Sequence, residues 1–389
     1  MKKTILKAVS VILTAVLLTG CQTGALKGLK KRDNNFYVNP DKKYEKLIEV
    51  CSEKARLYGF EGAIMIATDD DIVLFGGPEA KNIEGKPIDP YTTYDIGSCS
   101  KLFTAVSIFQ LIEQGKLSLN DTLDKFFPEY EKGKDITIYN VLHMQSGICD
   151  YINDPVGFWE EITMDNYEEY YGKICQDGYT DEEFLQNLYS SELVFEPGTK
   201  QEYCNTNYVL LAMIVEQLSG MPLCDYLQTN IFDVCKMEHT TSMVMGNETS
   251  VPTNFDDVLE IGMVDEKGYA YGGRLERGCG GIHTCMADLI EFDRALFTGK
   301  LVSESSLAEM KNYDMEYGCG LYPLVRKGYA YGHSGANGAY VSMNMIIDTE
   351  EFGRVYFVGS TAASGALNQA EALMTVQSAV ADLFKPKKQ

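Results

Sequence analysis

A serine and a lysine three residues apart, Ser98 and Lys101, are the side chains of this sequence best placed to do chemistry together. The residues after them predict a helix. Leu102, Val106, Phe109 and the Leu111–Ile112 pair recur at helical spacing, and Gly115 supplies a stop. Residues three apart lie on one helical face, one turn from each other, so the Lys101 amine stands beside the Ser98 hydroxyl in the first turn. A serine hydroxyl is a weak nucleophile until a neighbour takes its proton. A lysine in a partly dry pocket can have its pKa lowered enough to help. Unpaired backbone N–H groups at the helix start lie near the place where an oxyanion would form. The expected chemistry is attack of Ser98 on a carbonyl. An S-x-x-K pair also arises by accident on an amphipathic helix, so other residues must decide.

Two later clusters have the right residue types. Tyr203-Cys204-Asn205 precedes a helical stretch from about Thr206 to Gly220, and His333-Ser334-Gly335 lies in a strand from Ala330 to Gly338. Read singly, Tyr203 is a core tyrosine, Asn205 a helix cap and Gly335 a bend. Competing chemistries are weak. No G-x-S-x-G elbow is present, and none of the four histidines, His143, His239, His283 and His333, forms H-E-x-x-H. Cys279, His283 and Cys285 are close in sequence, but no partner cluster completes a metal site. No metal and no cofactor is expected.

These clusters must be held by elements drawn from the whole chain. Asp41 to Tyr58 reads as an amphipathic helix with Tyr44, Leu47, Ile48, Cys51 and Ala55 on one stripe. Gly62–Thr68 and Ile72–Gly76 read as a hairpin around Asp69-Asp70-Asp71. Val341–Asp348 and Arg354–Gly359 read as strands, Met286–Thr298 and Gln369–Phe384 as helices. Asp150–Phe184 is acidic and aromatic, contains the single tryptophan, Trp159, and reads as a solvated, surface-lying helical insertion, or else as a rim that helps choose the substrate. Strands at both ends and helices between predict an α/β (α+β) chain: an antiparallel sheet flanked by helices, from about 40–100 and 275–389, with an inserted all-helical region at about 101–274.

Residues 1–20 carry Lys2, Lys3 and Lys7 before an apolar run from Ala8 to Leu18, which is short for a membrane span. Leu18-Thr19-Gly20-Cys21 resembles a bacterial lipoprotein cleavage box, which implies lipidation of Cys21. The alternative is an ordinary secretory signal with a chance cysteine. Residues 21–39, with Lys27, Lys30, Lys31 and Arg32, read as a tether to the 40–389 domain. The formal charge is −22 and becomes more negative without the three leader lysines. That excludes nucleic acid as a partner, because a phosphate binder needs a basic stripe. The cysteines beyond Cys21 are scattered, several in apolar stretches, and read as buried thiols more readily than as a disulfide framework.

Together, Ser98-x-x-Lys101, Tyr203-x-Asn205 and His333-Ser334-Gly335 resemble, in order, the three motifs of the penicillin-recognising serine hydrolases. The chain is similar to class C β-lactamases and D-alanyl-D-alanine peptidases, a family that also holds esterases and amidases. Phe195-Glu196-Pro197-Gly198-Thr199, Asn207-Tyr208-Val209-Leu210-Leu211 and Gly280-Gly281-Ile282 match it too, so the resemblance runs from about Gly62 to the C-terminus. It implies the β-lactamase/transpeptidase-like fold and acyl-serine chemistry. Ser98 would be the nucleophile, with Lys101 and Tyr203 sharing its proton. Asn205 would bond Lys101 and a substrate amide. His333, Ser334 and Gly335 would line the cleft, Gly335 admitting the substrate backbone, and the N–H groups of Ser98 and Ala336 would form the oxyanion hole. His333 replaces the lysine of class C β-lactamases, and a neutral imidazole attracts a carboxylate less than an ammonium does. The implied substrate is a D-alanyl peptide or ester, or a β-lactam, at the outer face of the cell membrane. The alternative is a slowly acylating or non-catalytic penicillin-binding sensor.

Overall fold

The computed structural model describes residues 24–33, 36–77, 88–166, 169, 174, 179–242, 276–313, 315–324, 328–337, 340–362 and 366–386. The leader and Cys21 lie outside the described residues. In chain order the elements used below are β1 (Lys30–Lys31), β2 (Phe36–Val38), α1 (Glu45–Leu57), β3 (Ala63–Thr68), β4 (Ile72–Gly76), β5 (Tyr94–Asp95), α2 (Lys101–Glu113), α3 (Asp181–Ser190), α4 (Asn205–Ser219), β6 (Thr241–Ser242), β7 (Ile282–Thr284), α5 (Met286–Phe297), β8 (Tyr322–Pro323), β9 (Ala330–Asn337), β10 (Tyr340–Thr349), β11 (Gly353–Ala362) and α6 (Ala366–Asp382).

Strands from both ends of the chain form one antiparallel sheet, ordered β1-β2-β4-β3-β11-β10-β9-β8. Side chains alternate across a strand, and here they feed two cores. Ile64, Ile66, Met345, Ile347 and Phe357 pack with the Leu47–Ile48–Cys51–Ala55 stripe of α1 and with Leu373 and Val376 of α6. Met65, Ala67, Ile346, Tyr356 and Val358 point the other way, onto the cluster that contains α2, α4 and α5. Both faces of the sheet are therefore dry, which is why β3 is buried along its whole length and reads as a continuous apolar run. Full burial of one such aliphatic or aromatic side chain contributes roughly 1.5–3 kcal/mol.

Two expectations change. Residues 21–39 are not a free tether throughout. Lys30 pairs Val38 and Lys31 pairs Tyr37, and β2 pairs β4. Leu29 and Phe36 are buried, so apolar side chains draw this basic segment onto the open edge of β4. The 150–184 region is not merely solvated surface either. Tyr151, Phe158, Trp159, Tyr179 and Phe184 are buried in an aromatic cluster, with ring centroids 5.0 Å apart for Phe158–Trp159 and 5.4 Å for Tyr151–Phe184. The Trp159 indole donates to the Tyr151 carbonyl at 3.1 Å. Spacing along the sequence does not show that these rings converge.

A smaller sheet, β5-β7-β6, sits beside the large one. Ile96 extends its pairing by donating its backbone N–H to the Ile282 carbonyl at 3.1 Å. The segment that carries Ser98 leaves from this point.

Candidate active site

After β5 the chain turns sharply. The Asp95 carboxylate accepts the Gly97 N–H at 2.7 Å. Gly97 has φ +47°, and a Cβ there would stand 2.9 Å from the Ala336 nitrogen. Only glycine fits both constraints. A 3₁₀ turn, Gly97–Ser100, then leads into α2. Most of α2 is buried, Lys101 completely, and Phe103 stacks on Phe292 at 3.8 Å. The helix is anchored on nearly all sides, which fixes where Lys101 points.

Lys101 Nζ donates to Ser98 Oγ at 3.1 Å, to Asn205 Oδ1 at 2.8 Å and to the Cys279 carbonyl at 2.8 Å. An ammonium has three protons, and each has an acceptor. The pKa of Lys101 lies above the ordinary lysine value: burial pulls it down, but the charges of Tyr203 and Cys279, the Tyr203 hydrogen bond and Asp150 outweigh burial. The expectation of a lowered lysine pKa is therefore overturned. The pocket is dry, yet it is lined with acceptors.

Tyr203 donates its hydroxyl to Ser98 Oγ at 2.7 Å. The residue is 39% exposed, while its hydroxyl meets Ser98. Burial raises the phenol pKa, and the Lys101 charge, the Lys101 hydrogen bond and Ser98 pull back only part of the rise. Lys101 Nζ also lies 4.9 Å from the Tyr203 ring centre. At rest the site holds an ammonium and a neutral phenol on either side of one serine oxygen.

Asn205 opens α4, with Cys204 rather than Asn205 at the cap position. Its Oδ1 meets Lys101 as expected, but its Nδ2 donates to Asp150 Oδ2 at 3.0 Å, and its backbone N–H reaches the same oxygen at 2.9 Å. Asp150 thus orients the Asn205 amide so that its oxygen points at Lys101. Asp150 was not evident as a site residue from sequence: it lies 55 positions from Asn205 with no motif around it.

His333, Ser334 and Gly335 line the cleft from β9. A Cβ on Gly335 would stand 1.9 Å from the Ile96 carbonyl oxygen. Gly335 is thus required for the close approach of β9 to the Ser98 segment. Ser342 Oγ donates to the same Ile96 carbonyl at 2.7 Å, and Cys99 Sγ donates to the His333 carbonyl at 3.2 Å. Cys99 and Cys204 are packing residues. Burial pushes the Cys99 thiol up to about 12 and Cys204 well above its usual value. The nine described cysteines are all unpaired.

His333 is 2% exposed. Its Nδ1 lies 2.6 Å from the Ser334 carbonyl and its Nε2 2.9 Å from the Tyr317 hydroxyl. A carbonyl only accepts, so Nδ1 carries the proton and Nε2 accepts from Tyr317. Burial, then the Lys101 charge, lower its pKa to about 3, and the ring is neutral. Ser334 is held by Tyr322, whose hydroxyl is 2.6 Å from Ser334 Oγ and accepts the Ser334 N–H at 3.0 Å. Gln201 ties the rim together by donating to the carbonyls of His143 and Tyr317. Tyr317, Tyr322 and Gln201 carried no spacing signal in the sequence. Cys279, His283 and Cys285 do not form a cluster: Cys279 lies under Lys101 against the Tyr151 hydroxyl, and His283 faces Asp95 across β7–β5.

The family model described as Beta-lactamase matches residues 53–373. The chain belongs to the beta-lactamase family. It is a serine hydrolase. It is 27% identical over 330 residues to penicillin-binding protein 4* of Bacillus subtilis (strain 168), a match covering 78% of this chain and 68% of that protein. A second curated relative is covered over 62% of its length, so the chain spans about two thirds of the curated relatives it matches first. Among solved structures, a D-stereospecific amidohydrolase from Streptomyces sp. superposes with a TM-score of 0.64 at 24% identity, covering 87% of this chain and 98% of that one. A penicillin binding protein from Bacillus halodurans gives 0.66 at 21%, covering 86% and 99%. These two show the fold.

In this member of the beta-lactamase family, Ser98 opens into a cleft of about 870 Å³ walled by Tyr203, Tyr317, Tyr322, Met343 and Met374. Among the described residues lining it there is no lysine or arginine, and Glu316 carries the one acidic side chain.

Proposed function

We propose that the protein hydrolyses D-configured acyl amides or esters through an acyl-enzyme on Ser98. The observation that carries this reading is the Ser98 oxygen held at 2.7 Å from the Tyr203 hydroxyl and 3.1 Å from the Lys101 amine. In acylation the Lys101–Tyr203 pair first releases one proton to solvent; Ser98 Oγ then bonds to the substrate carbonyl carbon, its proton passes to the vacated site on the pair, and the pair returns it to the leaving amine or alcohol. Water then cleaves the serine ester and regenerates the hydroxyl. The N–H groups of Ser98 and Ala336 are assigned to the oxyanion, where loss of one donor typically costs roughly a hundredfold or more.

The cleft favours a substrate without a free carboxylate beside the scissile bond. His333 is neutral, and the Lys101 protons are already shared out, so among the described residues of the cleft a carboxylate meets no free cation. Glu316 and the chain's negative charge suit a substrate that bears an ammonium, such as a D-alanyl ester or D-amino acid amide of the cell wall. The D-stereospecific amidohydrolase likeness supports this choice. β-Lactams are poorer substrates on this reading. The leader and Cys21 support a lipid-anchored enzyme at the outer face of the membrane.

The test is turnover of D-alanyl esters, D-amino acid amides and cephalosporins, with intact mass recorded after each. A transient acyl adduct on wild-type protein, none on Ser98→Ala, and faster turnover of the ester or amide are expected. A permanent cephalosporin adduct without turnover of any of the three assigns the sensor role instead. No adduct and no hydrolysis with any of the three overturns the proposal.

A further inference from the structure

The small sheet has two ends. At one, Ile282 and Ile96 lead to Ser98. At the other, β7 runs through Thr284 into Cys285, the N-cap of α5, whose sulfur accepts the Asp288 N–H at 3.4 Å. Here Cys285, Asp288 and His239 bring one sulfur, one carboxylate oxygen and one imidazole nitrogen within 4.8 Å of one another. Cys285 and Asp288 are buried, and His239 reaches in from the surface.

The two oxygens of Asp288 are used differently. Oδ2 accepts the His239 backbone N–H at 2.7 Å and the Thr240 hydroxyl at 2.8 Å. Oδ1 faces His239 Nδ1 at 3.7 Å, too long for a hydrogen bond. Two ligands on one tetrahedral ion, each about 2.0–2.2 Å from it, lie roughly 3.3–3.6 Å apart, so the spacing suits a shared ion. The orientations are fixed from outside. Thr240 Oγ1 also meets Thr284 Oγ1 at 2.6 Å, and the Tyr91 ring covers the imidazole at 4.8 Å. Such outer contacts orient ligands in metal sites. The neighbouring hollow, about 540 Å³ and lined by His239 and Asp288 among others, leaves room for a water as the fourth ligand.

We propose that Cys285 Sγ, His239 Nδ1 and Asp288 Oδ1 bind one divalent ion of the zinc class, which pins the His239–Ser242 segment to β7 and the start of α5. A thiolate, an imidazole and a carboxylate are the donor set that zinc accepts and magnesium or calcium does not favour. On binding, the Cys285 S–H bond breaks, its proton goes to solvent and a sulfur–metal bond forms, with no change of oxidation state. The ion steadies the sheet from which the Ser98 segment leaves, and it stands apart from the hydrolytic step.

The test uses the full chain, stripped with a chelator and titrated with Co²⁺ and then Zn²⁺. One equivalent of Co²⁺ is expected to give a thiolate-to-cobalt charge-transfer band that Zn²⁺ abolishes, and Zn²⁺ is expected to raise Tm. Cys285→Ser should remove the band. His239→Ala, at a surface position that tolerates truncation, should fold as wild type and weaken Zn²⁺ binding by more than the roughly 10–100-fold that loss of an outer contact causes. Absence of the band in wild-type protein, or equal Zn²⁺ affinity in wild type and His239→Ala, overturns the proposal, whatever the hydrolase assays show.

Discussion

Ser98 lies between two groups that both hold their protons at rest. Burial lowers the Lys101 pKa, but Tyr203, Cys279 and Asp150 around it outweigh burial, and three acceptors take its protons. Tyr203 is pushed the other way by the same burial, and the ammonium beside it does not fully compensate. One of the two must lose a proton before Ser98 can give up its own, and both titrate above their ordinary values. The sign follows: as pH rises toward the lower of the two, the competent fraction grows. We expect kcat/KM to rise about tenfold per pH unit through neutrality toward an alkaline plateau. The profile should show no step near the usual histidine pKa, because His333 is held neutral down to about 3. A plateau already reached below neutrality, measured with a non-ionising ester, would show that the pair is poised differently.

Elements deliver these groups through backbone contacts. β9 approaches the Ser98 turn so closely that Gly335 and Gly97 face Ile96 and Ala336 without room for a methyl group. Ser342 and Cys99 stitch the same seam from β10 and the 3₁₀ turn. Gly335→Ala must therefore push the strand and the turn apart. A shift of about 1 Å at reacting groups can cost about a hundredfold in rate, so kcat is expected to fall by about that factor while circular dichroism stays native. Unchanged kcat in a folded Gly335→Ala protein would show that the seam yields elsewhere. Behind the site, the aromatic cluster of the 150–184 region touches Cys279 through the Tyr151 hydroxyl, and the Cys279 carbonyl holds Lys101. The insertion thus supports the lysine from behind, a role that its acidic composition conceals.

The whole molecule carries a formal charge of −22, and its cleft mouth shows Glu316 and no described lysine or arginine. A cationic ester should be drawn toward such a surface and a neutral one should not. We expect kcat/KM for a D-alanyl ester with a free ammonium to fall as ionic strength rises from 0.01 to 0.15 M, where the Debye length shrinks from about 30 to about 8 Å. The N-acetylated ester should change little. Equal salt dependence of the two esters would remove charge from the account of substrate choice.

The order of polar motifs along the chain determined the family and pointed to Ser98 as the candidate nucleophile, because Ser98 and Lys101 are neighbours on one helix and local spacing places them together. The strands β3, β4, β9, β10 and β11 and the helices α1, α2, α4, α5 and α6 were equally legible, since burial on one or two faces leaves a periodic trace in residue type, whereas the short strands β1, β2, β5, β6, β7 and β8 were not. Tertiary structure alone decided the rest. Asp150 against Asn205, Tyr317 against His333, and Cys285 beside His239 are contacts between residues far apart in sequence. Only the folded surroundings fix whether a buried amine keeps its proton and whether a glycine admits a neighbouring strand. Both depend on which atoms arrive from elsewhere in the chain, and local sequence carries no record of them.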